Sequence, residues 1–270
     1  MKTAITLSLL PSRPTMPFVL GPELTPGFET ASTLGFDAIE IFPPSIESID
    51  VAGLKTLSQR YSMPISTIGT GGGAVAQGLT LTDADKSVRD KAKQYVRDII
   101  AIAGDLGGSA IIGSMQGRAG DRNHGDVLKY LGDALAELGD EAARWSQPLL
   151  FEPLNRYESD LVNRLEQAVE LMETHGASNA KVLADLFHMN IEETCIESAL
   201  RDHASYLGHV HFVDSNRWPA GAGHSDLKSA YHVLQSLDFP GYLAVEAFPL
   251  PDPQTAAENA AKAFHELSQN

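Results

Sequence analysis

Short apolar runs rich in Val, Ile and Phe recur along the chain, with helical patterns between them. Eight runs read as strands: Ala4 to Leu9, Ala38 to Phe42, Ile65 to Ile68, Ala110 to Ile112, Leu149 to Phe151, Val182 to Ala184, Val210 to Val213 and Leu243 to Val245. Segments 27–35, 51–61, 84–106, 126–146, 162–175, 192–205, 226–237 and 254–268 carry apolar residues at three- and four-residue spacing, the mark of one buried helix face. Val88, Ala92, Tyr95, Val96, Ile99 and Ile100 illustrate the spacing. Gly35, Pro64, Gly107-Gly108, Pro148, Gly208 and Pro240-Gly241 punctuate the joints. Strict alternation of strand and helix predicts an α/β protein with a parallel sheet and outer helices. Eight repeats of the unit predict a closed (β/α)8 TIM barrel.

A barrel of this kind commonly runs to roughly 250 residues as one domain. The 270 residues, with no composition break to mark a linker, therefore read as a single domain over 1–270. An open doubly wound sheet is the alternative, but no Gly-x-Gly-x-x-Gly follows the first strand. The glycine-rich Gly69 to Gly73 follows the third strand and is expected to run into a loop, which makes it a weak phosphate-loop signal. Gly113 to His124 is the longest irregular stretch and is expected at the rim of a pocket.

Composition narrows the partners. Hydrophobic content of 43% supports a substantial core, and a formal charge of −15 repels phosphate backbones and anionic lipid. Nucleic acid and membrane are therefore poor partners. The N-terminal Thr3 to Leu10 alternates apolar and polar residues and ends at Pro11, which fits a strand better than a signal peptide. With no run approaching the roughly 18 apolar residues of a membrane span, a soluble, cytoplasmic protein is expected. The one cysteine, Cys195, allows no internal disulfide and reads as a small, partly buried side chain.

In such barrels chemistry sits at the C-terminal ends of the strands. The fifth strand ends at Glu152, the sixth at Asp185, the seventh carries His211 and the eighth ends at Glu246. Any one of these alone reads as a hydrogen-bonded carboxylate or core histidine. Four on consecutive strands converge on one rim, and three carboxylates beside an imidazole repel one another unless a cation lies between them. The oxygen-rich set favours Mn²⁺ first, with Mg²⁺ and Co²⁺ next, over a thiolate-type zinc site, and leaves Zn²⁺ open. His209 lies one layer deeper on the same strand face and reads as buried and hydrogen-bonded. Asp214 reads as an orienting group or the start of a loop, and Arg156 as an anchor for carboxylates or the loop.

The segments Phe151 to Glu158, Leu183 to Glu193, Gly208 to Phe212, Asn216-Arg217, Val245 to Phe248 and Asp85 to Asp90 carry a resemblance. The chain resembles the xylose-isomerase-like sugar isomerase/epimerase barrels, most closely the ketose 3-epimerases of the D-tagatose/D-psicose type. The resemblance is strong over 145–250 and weak before residue 80. It implies one divalent metal held by Glu152, Asp185, His211 and Glu246, with Glu152 and Glu246 also moving protons. It implies that Glu158, His188 and Arg217 contact the sugar oxygens, and that the protein is a homo-oligomer, a dimer or tetramer.

The reaction expected is metal-assisted proton transfer through a cis-enediolate. One glutamate removes a proton beside the carbonyl and the other returns it from the opposite face. His188 and Arg217 would stabilise charge developing on the enediolate oxygens. Alternatives on the same metal platform are aldose–ketose or hydroxypyruvate isomerisation and inosose dehydration. A non-catalytic sugar-binding protein is disfavoured by the paired glutamates, and an endonuclease-like barrel by the −15 charge and the few histidines at strand ends. The N-terminal half departs from the 3-epimerase pattern. Ser8-Leu9-Leu10-Pro11 and Gly113 to Arg118 lack the aromatic residues such enzymes place there, so the sugar itself is left open. No Lys/Arg cluster marks a phosphate site, which favours an unphosphorylated sugar.

Overall fold

The computed structural model describes residues 1–10 and 13–269; Pro11, Ser12 and Asn270 lie outside the described residues. Eight strands, β1 (Lys2–Ser8), β2 (Ala38–Phe42), β3 (Ile65–Gly69), β4 (Ser109–Ile112), β5 (Leu149–Phe151), β6 (Ala180–Asp185), β7 (Leu207–His211) and β8 (Tyr242–Val245), pair in parallel in chain order. Strand β8 returns to β1 through Ala4↔Ala244 and its neighbours, closing the barrel. The helices are α1 (Leu24–Thr33), α2 (Val51–Tyr61), α3 (Gly71–Gln77), α4 (Lys86–Asp105), α5 (His124–Ala143), α6 (Leu165–His175), α7 (Leu186–Glu192), α8 (Ile196–Asp202), α9 (Leu227–Ser236) and α10 (Pro253–Ser268).

The strands sort their side chains with period two. Ile5, Leu7, Ile39, Ile41, Phe151, Val182, Val210, Leu243 and Val245 join helix residues such as Phe28, Leu54, Ile99, Leu135 and Phe264 in the main core between barrel and helices. The alternate positions fill the barrel interior in smaller groups: Ala4, Ala38 and Ala244 in one, Ile111, Leu150 and Leu183 in another. Alternation therefore sends Thr6, Glu40, Thr67 and His209 inward too, and all four are buried. Side-chain oxygens start several of the helices by accepting free backbone N–H groups: Asp50 from Gly53, Asp85 from Ser87, Asn123 from Asp126, Asp226 from Ser229 and Asp252 from Thr255.

Three expectations need correction. Gly69 to Gly73 does not run into a loop, because Gly71 begins α3. The glycines are there for close packing: a Cβ on Gly72 would lie 2.3 Å from the Pro43 carbonyl oxygen, and one on Gly73 would lie 2.9 Å from the Tyr95 ring. The helix expected over 192–205 is shorter: α8 covers Ile196–Asp202, after extended backbone at Glu193 and Cys195 and before a 3-10 turn at Ala204–Tyr206. Helix α7 starts earlier, directly at the end of β6, because Asp185 caps it. Cys195 is exposed rather than partly buried.

The Gly72 contact predicts a measurable penalty. Gly72→Ala should lower stability by about 1–3 kcal/mol, since the added methyl meets backbone atoms that cannot rotate away. Urea unfolding followed by circular dichroism checks this, and an unchanged midpoint would contradict the packing argument.

Candidate metal centre

The four strand-end residues meet. Glu152 follows β5, Asp185 ends β6, His211 ends β7 and Glu246 follows β8, and one ligand atom from each lies within 4.8 Å of all the others. His211 Nδ1 is 3.3 Å from Glu152 Oε1, 3.3 Å from Asp185 Oδ2 and 3.6 Å from Glu246 Oε2. All four residues are buried.

Local structure explains each placement. Asp185 Oδ1 caps α7, accepting the backbone N–H of Phe187 at 2.7 Å and of His188 at 3.3 Å, which leaves Oδ2 to face His211. Gly113 makes room for Glu152, since a Cβ there would lie 2.5 Å from Glu152 Oε2. His211 is held from its far side, where Nε2 is hydrogen-bonded to Glu40 Oε1 at 3.1 Å.

Electrostatics describe a crowded anionic pocket. Burial pushes the Glu246 carboxyl up to about 8; Arg217 and His211 oppose the rise, and the charges of Glu152 and Asp185 add to it. Burial would also raise Asp185, but His188, His211 and Arg217 together hold it well below the usual carboxylate range. The His211 imidazolium is favoured despite burial, because Glu40, Glu246, Asp185 and Glu152 surround it. A hard divalent cation suits this set: three carboxylates and one imidazole on one point, each desolvated. Glu152 Oε1 and His188 Nε2 add to the fit, because both are buried without a hydrogen-bond partner.

The three residues expected to touch sugar sit around this cluster. Arg217 contacts Glu246 Oε2, lies 3.8 Å from Asp185 Oδ2 and reaches Glu158 Oε1 at 3.5 Å. Its guanidinium packs over the Phe187 ring at 5.1 Å. Its backbone has a left-handed φ of 59°, unusual for arginine, and is pinned by N–H donation to the Asp214 carbonyl at 2.9 Å and by the Phe248 N–H at 2.8 Å. Such a conformation costs on the order of 1 kcal/mol and persists only where neighbours impose it. Asp214 organises that loop, its carboxylate accepting N–H groups from Ser215, Gly221 and Ser225. Arg156 pairs with Glu192 away from the cluster.

His188 Nε2 lies 3.8 Å from both Glu152 Oε1 and Asp185 Oδ2. Its other nitrogen, Nδ1, accepts the Asn155 backbone N–H at 3.2 Å. With Nδ1 accepting, the ring's proton is on Nε2, so His188 turns a donor toward the carboxylates. Asn155 was not legible as a functional residue, and neither was Glu40. The signal for Glu40 was a lone carboxylate inside the apolar run Ala38 to Phe42.

A cleft of about 350 Å³ opens onto the cluster. Glu152, Glu246, Glu158 and Arg217 line it, together with an apolar wall that includes Met16, Pro17, Phe18, Phe42 and Val75. Phe18 stacks on Phe42 with ring centroids 4.4 Å apart. Aromatic residues are thus present at the wall, supplied later in the loop after β1 and from the end of β2. As expected of the rim, Gly113 and Ser114 also line the cleft. Among the described residues, no helix is long and apolar enough to cross a membrane.

Comparison with known proteins agrees with this architecture. Residues 28–267 match the family model described as xylose isomerase-like TIM barrel. An L-ribulose 3-epimerase of Mesorhizobium japonicum is 29% identical over 221 residues, covering 79% of this chain and 72% of that protein. A 3-dehydro-D-guloside 4-epimerase of Escherichia coli is 26% identical over 254 residues, covering 88% of this chain and 90% of that protein. A solved structure of an L-ribulose 3-epimerase superposes with a TM-score of 0.82 at 25% identity, covering 99% of this chain and 94% of that one. The chain belongs to the xylose isomerase-like TIM barrel family and is an enzyme of the sugar isomerase and epimerase class.

Proposed function

We propose that the protein is a divalent-metal-dependent ketose 3-epimerase that moves protons with Glu152 and Glu246. One observation carries the reading. Of the four clustered residues, only Glu152 and Glu246 also line the cleft. Asp185 and His211 are buried beside them and suit holding an ion; the two glutamates reach both the ion position and a bound sugar.

Bound there, a divalent ion, Mn²⁺ in this reading, would polarise the sugar carbonyl and acidify the adjacent C–H. The chain supplies the rest. One glutamate takes the proton from the carbon beside the carbonyl, and the other gives a proton back to the same carbon from the opposite face. His188 Nε2–H donates to a sugar oxygen, its direction fixed by Asn155 on Nδ1. Arg217, fixed between Glu246 and Glu158, donates to oxygens that gain negative charge as the carbon is deprotonated. Glu158 accepts from a sugar hydroxyl at the exposed side of the cleft. The substrate is a free ketose, and the protein acts as a small homo-oligomer in the cytoplasm.

The open apolar wall of Phe18, Phe42, Met16, Pro17 and Val75 favours a second reading. Such a surface suits an apolar group attached to the sugar, and the E. coli relative is named for epimerising a dehydro-glycoside at carbon 4. In that case the same two glutamates would work at C4 of a 3-keto glycoside.

Two experiments test the proposal. The metal-stripped protein should gain about 2.7 kcal/mol of stability at Mn²⁺ one hundred times its Kd. Asp185→Asn, which keeps the Oδ1 acceptor that caps α7, should lose most of that gain; no gain in the wild type would contradict the metal centre. Turnover of D-fructose, D-psicose, D-tagatose and a 3-keto glycoside in D₂O should place deuterium at C3 of the ketoses. Glu246→Gln and Glu152→Gln should each cut that turnover by about 10²–10⁴-fold, with Mn²⁺ binding weakened but measurable. Label at C4 of the keto glycoside alone selects the second reading. Label at C1, or full activity in Glu246→Gln, contradicts both readings.

A further inference from the structure

Directly behind the metal centre, the barrel interior holds a second buried polar group that the proposed chemistry does not use. Glu40 from β2, Thr67 from β3 and His209 from β7 are all buried there. Glu40 Oε1 accepts from His211 Nε2 at 3.1 Å. Glu40 Oε2 accepts from the Thr67 hydroxyl, and His209 Nε2 lies 2.8 Å from the same oxygen.

Glu40, His209 and His211 also gather potential ligand atoms within 4.8 Å, but the geometry argues against a second ion. Glu40 Oε1 is hydrogen-bonded to His211 Nε2 at 3.1 Å. The Thr67 hydroxyl donates to Oε2, so both carboxylate oxygens already have protein donors. The contact is a hydrogen bond.

Its consequence lies on the other side of the ring. An ion at Nδ1 displaces that nitrogen's proton, and the ring then keeps the one on Nε2. Three carboxylates face Nδ1 at 3.3 to 3.6 Å and favour a proton there until an ion takes up their charge. Glu40 is the buried anionic acceptor that draws it to Nε2 instead. The Thr67 hydroxyl, donating to Oε2, keeps the Glu40 carboxylate from rotating out of line.

We propose that Glu40 is a positioning residue for the metal centre: by accepting the Nε2 proton of His211, it fixes the tautomer that turns the Nδ1 lone pair toward Glu152, Asp185 and Glu246, and so sets the affinity of the site for its ion. This rests on the metal reading above. Outer partners of ligating histidines typically contribute 10–100-fold in metal affinity.

The test is Mn²⁺ binding by calorimetry to metal-stripped wild type and Glu40→Gln. The expected result is a site weaker by about 10–100-fold in the variant. In long-range ¹H–¹⁵N spectra of histidine-labelled, Zn²⁺-loaded protein, the His211 Nε2–H signal should move toward that of a weaker hydrogen bond in Glu40→Gln while His188 keeps its own, a signature that a merely structural role for Glu40 would not produce. Equal affinity within about twofold, or an unmoved His211 Nε2–H signal in the loaded variant, overturns the proposal. If Glu40→Gln does not fold, Thr67→Val carries the test, because it keeps Glu40 and removes one group that holds Oε2. A loss of about threefold is expected there, below that of a direct partner, and unchanged affinity overturns the proposal. Wild type that binds no Mn²⁺ overturns the metal reading itself; wild type that binds it no better than Glu40→Gln overturns the role of Glu40 alone.

Discussion

Carboxylates withdrawn from water repel one another unless positive charge is brought among them. Glu152, Asp185 and Glu246 share one buried point, and the groups around them answer that constraint. Arg217 lies against Glu246 in a strained backbone conformation, and His211 stands at the centre. Even so, Glu246 is pushed up to about 8, chiefly by burial. The compensation is incomplete, which is the condition under which a cation binds well. The same arrangement leaves two of the three carboxylates, Glu152 and Glu246, facing the cleft.

The barrel makes this possible through simple alternation. Each strand sends one set of side chains to the helices and the other inward. On β7, Val210 packs in the outer core while His209 and His211 share the interior at successive levels. On β2, Ile39 and Ile41 face outward and Glu40 inward. The carboxylate–imidazole cluster is therefore the top level of a polar column whose next level is Glu40, Thr67 and His209, with Glu40 hydrogen-bonded to His211 across the two levels.

Much of this was legible in the sequence, for identifiable reasons. Strand runs such as Ala38 to Phe42 and Leu149 to Phe151 were readable to the residue because both ends are punctuated by turn or polar residues. Glu152, Asp185 and Glu246 were legible because each directly follows such a run, and His211 because it is an imidazole inside one. Helix α7 was not, since its seven residues are too few to show a helical period and its start depends on a cap by Asp185. Gly71 to Gly73 looked like a loop because the packing against Pro43 and Tyr95 that requires small residues is tertiary. Glu40 and Asn155 escaped for the same reason: their importance lies in which imidazole nitrogen they meet, and pairings between strands two and seven, or residues 155 and 188, leave no trace in local pattern.

The central claim is that one ion and one sugar meet between Glu152 and Glu246. A crystal structure of the Mn²⁺-loaded Glu246→Gln protein soaked with D-psicose, with the metal located by anomalous scattering, tests it most directly. A single peak is expected within bonding distance of Glu152, Asp185 and His211, beside the residue at 246, with sugar C3 between side chains 152 and 246. A metal peak elsewhere, or a sugar whose reacting carbon faces neither side chain, would contradict it.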